Sequence, residues 1–121
     1  MRTILNIGLL RSEASQVAPK APLNVAVLMD CVKALWGRAA QAYVHTSDTE
    51  PTLVVDVAAP VSTGQVERLS KAFDQDAIAF FDTHTGRGFL AGPRASAWGS
   101  FNAEYFLLPN GERLAQAAVA A

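Results

Sequence analysis

The chain alternates between segments apolar on every position, segments apolar on alternate positions, and segments apolar every third or fourth residue. Thr3–Leu10 is of the first kind: Ile4, Leu5, Ile7, Leu9 and Leu10 place apolar side chains on both sides of an extended segment. That pattern predicts a central strand covered on both faces. Arg11–Ala21 is polar, holds Pro19, and reads as a loop with Pro22 beyond it. From Pro22 to Trp36 the period becomes helical, with Val25, Leu28, Val32 and Leu35 on one face, widened by Met29 and Trp36. Gly37 then supplies a residue that tolerates the left-handed conformation of a helix end.

Strict alternation follows. Ala40–Thr46 and Thr52–Ala58 read as a hairpin whose tip, Ser47-Asp48-Thr49-Glu50-Pro51, is polar and acidic. Ser62–Phe73 predicts a second helix, with Val66, Leu69 and Phe73 inward and a capping box between Ser62 and Gln65. Ala77–Phe81 is again apolar on both faces. A turn through Thr83–Gly86 leads to Gly88-Phe89-Leu90-Ala91, a second hairpin. Pro93–Ala103 follows no period, Glu104–Leu108 reads as a short strand, Asn110-Gly111 as a turn, and the alanine-rich end as a frayed or disordered tail. One α+β domain over 1–111 with a tail over 112–121 is the expected organisation.

The order β-α-β-β-α-β with an added β-β resembles the ferredoxin-like split-βαβ arrangement, an antiparallel sheet with two helices on one face. The resemblance implies a spatial order 4-1-3-2. The apolar run of Ala77–Phe81 calls for a further strand beside it. Two helices cover one sheet face, yet two strands are apolar on both. The second face therefore needs a cover: the Pro93–Phe101 segment, the tail, a ligand or a second copy of the chain.

Composition narrows the function. Half of the 121 residues are apolar, 17% are charged, and mean hydropathy is +0.17, which excludes a disordered chain. Ten basic against eleven acidic side chains give a net charge of −1, so a nucleic-acid footprint would have to come from a local cluster of Arg87 and Arg94. One cysteine, Cys31, on the apolar side of the first helix, excludes an internal disulfide and zinc-type thiol pairs. No apolar stretch reaches membrane-spanning length. A cytoplasmic setting without cofactor or metal is the expectation.

The sequence carries no phosphate-binding loop, dinucleotide fingerprint, H-E-x-x-H pattern or nucleophile elbow. His45, at the end of a strand beside Asp48 and Glu50, fits either a general base or a surface histidine. Asp82, His84 and Arg87 could hold an anion or move a proton, although Asp, Thr and Gly are also what a hairpin turn needs. The irregular segment Gly92–Asn102 holds Arg94, Trp98, Phe101 and Asn102. With Tyr43, His45 and Tyr105, these form the candidate ligand or partner site. The structural reading makes Trp98 and Phe101 plugs over the open sheet face. Three functions compete: a non-enzymatic binding or regulatory module, homodimeric through the helix-free face; a small enzyme or ligand-binding protein with a pocket near His45 and the 93–102 loop; and, with least support, a nucleic-acid accessory protein.

Overall fold

The computed structural model of the chain describes residues 2–9, 24–46 and 51–120, without the side chains at 97, 98 and 118–120. The loop expected at 11–21, Pro22 and the acidic tip at 47–50 lie outside the described residues. Five strands and three helices follow one another as β1 (Thr3–Gly8), α1 (Val25–Trp36), β2 (Ala40–Thr46), β3 (Pro51–Val57), α2 (Thr63–Ala72), β4 (Ile78–Asp82), β5 (Arg87–Ala91) and α3 (Leu114–Ala120). The fold is α+β, and the sheet is open and antiparallel in the order β2-β3-β1-β4-β5. The strand that Ala77–Phe81 called for is β5, which pairs with β4 from Ile78↔Ala91 to Asp82↔Arg87.

The alternation of each strand sorts its side chains by face. Leu5 and Ile7 of β1, Leu53, Val55 and Val57 of β3, and Ile78 and Phe80 of β4 point to the helices. There they bury against Leu28, Val32 and Trp36 of α1 and Val66 and Leu69 of α2. Seven-residue strands of Val and Leu suit a doubly covered centre, and β3 has Leu53, Val54 and Val55 buried in succession. The indole Nε1–H of Trp36 donates to Gln65 Oε1 at 3.4 Å and so ties α1 to α2 above the core.

α1 and α2 each start at a side-chain cap. Asn24 accepts from the Val27 N–H at 3.3 Å, so α1 begins at Val25. At α2 the capping box is complete: Gln65 N–H donates to Ser62 Oγ at 3.1 Å, and Ser62 N–H to Gln65 Oε1 at 2.9 Å. Ser62→Ala is expected to cost about 1 kcal/mol, read as a lower urea midpoint with an unchanged slope. An unchanged midpoint would show that solvent satisfies the same backbone groups equally well.

The second sheet face is covered by the chain itself. Ile4 of β1 and Val54 of β3 are buried under Phe106 and Leu107, with Ala79, Phe81, Phe101, Leu108 and Leu114 packed around them. Three phenyl rings form the centre of this layer: Phe101 and Phe106 are 5.0 Å apart, and each lies 6.1 Å from Phe81. The expected strand at Glu104–Leu108 does not form. Residues 103–105 turn, and the only ladder contact there is a single bridge, Leu107↔Arg113. The segment crosses over the sheet instead of extending its edge, so its backbone meets side chains where a strand would meet a strand.

Candidate functional site

The crossing segment is held at three points, and each has a cause in the sequence. At the centre, Asn6 projects from β1 between Ile4 and Gly8 on the helix-free face. Its Nδ2 donates to the Leu107 carbonyl at 2.9 Å, and its Oδ1 accepts from the Leu107 N–H at 2.7 Å. A side-chain amide thus presents one donor and one acceptor to one residue, as a neighbouring strand would. Near β5, Phe101 lies on Gly88: a Cβ there would stand 2.3 Å from its Cδ1. At the β2 edge, the Pro109 carbonyl meets His45 Nε2 at 2.8 Å. A carbonyl only accepts, so Nε2 carries the proton and Nδ1 is the bare nitrogen of the neutral ring. The same ring faces Gly111, where a Cβ would stand 3.4 Å from Nδ1 and Cε1.

His45 is therefore a clamp on the Pro109–Gly111 turn. Heteronuclear NMR should show His45 as the Nε2–H tautomer in the neutral protein; the Nδ1–H form would break this assignment. Tyr43 lies one step along the same face of β2. Its ring centroid is 6.5 Å from the His45 ring, and its hydroxyl donates to Gln41 Oε1 at 2.8 Å. Tyr43 stays 39% exposed and Tyr105 71% exposed, while the Tyr105 carbonyl accepts from Arg113 Nη1 at 2.8 Å. Arg2 pairs with Asp56 at 2.6 Å on this same face.

The other sequence candidates lie apart from this group. Phe101 sits over β4 and β5, whereas His45 is on β2. With strands about 4.8 Å apart, β2 and β5 are separated by roughly 19 Å. Arg94 is on the helix side, its Nε 4.0 Å from Asp76 Oδ1 and its N–H donating to the Asp76 carbonyl at 2.9 Å. It borders an open cleft of about 220 Å³ with Ser70, Lys71, Asp74, Gln75 and Pro93. Asn102 spends its side-chain oxygen on the Glu104 N–H at 2.9 Å. The backbone of Trp98 ends a short 3-10 turn over Ala95–Trp98, and its side chain lies outside the described residues.

Asp82 and His84 belong to the turn between β4 and β5. Asp82 Oδ1 accepts from the His84 N–H at 2.8 Å and the Thr85 N–H at 3.3 Å, and Gly86 closes the turn at φ 73°. That geometry organises a hairpin, with the imidazole on an exposed residue. Cys31 is half-buried and lines a second open cleft of about 250 Å³ between α1 and α2, with Leu35, Arg68 and Leu69. Among the described residues, no group of three His, Cys, Asp or Glu side chains could hold a metal ion, and no helix is long and apolar enough to cross a membrane.

Sequence reasoning passed over Asn6, Gly88, Pro109 and Gly111. Asn6 left a legible signal, a lone amide in an otherwise apolar strand. Gly88 left a weaker one, a glycine beside Phe89 within a strand pattern, which marks a close approach by another group. Comparison of the chain with protein-family models, with curated proteins and with solved structures yields no match.

Proposed function

We propose that the chain is a non-enzymatic binding module that acts through protein–protein contact, with a second copy of itself as the first partner. The observation that carries this reading is the exposed apolar surface of β2. Tyr43 on one face and Val44 on the other are 39% and 52% exposed, next to each other on an edge strand. The helix-free face as a whole is a poorer seat for the contact, because residues 101–114 occupy its middle. Its β2 margin is the part left open. The candidate polar groups His45, His84 and Arg94 each serve a separate turn or clamp, which favours binding over catalysis.

The architecture belongs to the same proposal. The order β2-β3-β1-β4, antiparallel throughout, supports a ferredoxin-like split βαβ to which β5 adds one strand. A cytoplasmic setting is proposed on the single cysteine. Light scattering from micromolar to millimolar protein tests the contact: a mass rising to twice that of the chain is expected. A chain that stays monomeric throughout this range would overturn self-association.

A further inference from the structure

Building on that reading, we infer that two copies join edge to edge along β2, related by a two-fold axis through Tyr43, into one continuous antiparallel sheet. The backbone dictates which groups are free to do this. Ala58 N–H donates to the Ala39 carbonyl, and the register places Ala40 opposite Val57 and Tyr43 opposite Val54. Gln41, Tyr43 and His45 therefore spend their backbone groups on β3, and those of Ala40, Ala42, Val44 and Thr46 point away from the sheet. Among the described residues no strand lies beyond them.

Sheet edges in stable monomers are guarded by charge, proline, bulges or shortness. The β5 edge fits: it is five residues long, opens on Arg87, and runs into Gly92-Pro93. The β2 edge is seven residues, Ala40-Gln41-Ala42-Tyr43-Val44-His45-Thr46, with no Lys, Arg, Asp, Glu, Pro or Gly and an unbroken register with β3. Such a strand is suited to pairing.

A second copy fits this edge on three counts. With the axis through Tyr43, Ala42 of each copy faces Val44 of the other and Ala40 faces Thr46, so every outward group meets an outward group. The two Tyr43 rings become a close cross-strand pair on one face, and small Ala42 accommodates Val44 on the other. Charge agrees as well. A net charge of −1 adds little repulsion between copies.

The test combines mass with amide exchange. As concentration rises, the N–H groups of Ala42 and Val44 should gain protection in step with dimer mass, while those of Tyr43 and His45 stay protected throughout. Val44→Pro removes an outward N–H that β3 does not use, so the variant should keep its circular dichroism. It should weaken self-association by roughly tenfold to a hundredfold, because each dimer loses two symmetric bonds. Val44→Lys should act in the same direction if the proline variant fails to fold. Tyr105→Ser, away from the edge, should leave the dimer intact. A dimer that survives both Val44 variants, or leaves the Ala42 and Val44 amides unprotected, would overturn edge pairing while self-association stands. A wild-type chain that remains monomeric would overturn both.

Discussion

Asn6→Ala is expected to destabilise the fold by about 2–5 kcal/mol, because it leaves the N–H and the carbonyl of Leu107 without partners. Leu107 is buried, so both groups lose their hydrogen bonds where water does not readily replace them. The chain can lower this cost only by lifting residues 106–108 off the sheet, which uncovers Ile4 and Val54 instead. Two measurements separate these routes. Urea unfolding gives the total loss. Amide exchange at Leu107 reports whether the segment lifts: it should accelerate far more than exchange in β3. Asn6→Asp should not rescue, since a carboxylate accepts from the Leu107 N–H but faces the Leu107 carbonyl with no proton to donate. A urea midpoint unmoved by Asn6→Ala would mean that the segment is held by its side chains alone.

Gly88→Ala should cost about 2–4 kcal/mol through a residue it does not resemble, Phe101. The added Cβ would lie 2.3 Å from Phe101 Cδ1 and 2.4 Å from Cγ, too near the root of the side chain for a small torsion to relieve. The ring must leave, and with it go its contacts to Phe81 and Phe106. Because the damage is the loss of Phe101 packing, it cannot be inflicted twice. The double variant Gly88→Ala/Phe101→Ala should be no less stable than Phe101→Ala alone, a coupling that additive effects would contradict. Near-additive losses across these variants would place the strain in β5 and not in the ring.

The helical side of the molecule was legible in the sequence because its signals are local. A period of three to four, a Ser62–Gln65 capping box and Gly37 after Trp36 all report on neighbouring residues. The two-faced apolarity of Thr3–Leu10 and Ala77–Phe81 also pointed rightly to a second apolar layer and to a strand beside β4. Of the covers expected, the Pro93–Phe101 segment supplies Phe101; that Phe106 and Leu107 complete the layer was not legible. Glu104–Leu108 has a strand's composition, and only its meeting with Asn6 decides that it crosses the sheet instead of joining it. The same holds for the site. His45 invites a catalytic reading from its neighbours Asp48 and Glu50, but the contact that fixes its proton comes from Pro109. Phe101, one of two residues expected as plugs, lies on Gly88, a partner that no periodicity announces; the side chain of the other, Trp98, lies outside the described residues.

The Asn6–Leu107 pair spans 101 positions of chain, nearly the widest separation the fold contains. Loop closure over such a distance comes late, after the local hairpins and helices have formed. During synthesis β1 is made well before residues 101–114, which cover it. Until Leu107 arrives, Ile4, Val54 and Phe81 face the medium as a bare apolar plane bordered by the unguarded β2 edge. That interval is when the chain is most open to aggregation or to a chaperone's grip. Asn6 sets a polar amide beside Ile4 on that plane, which should make the waiting face less adhesive than an unbroken run of aliphatic side chains.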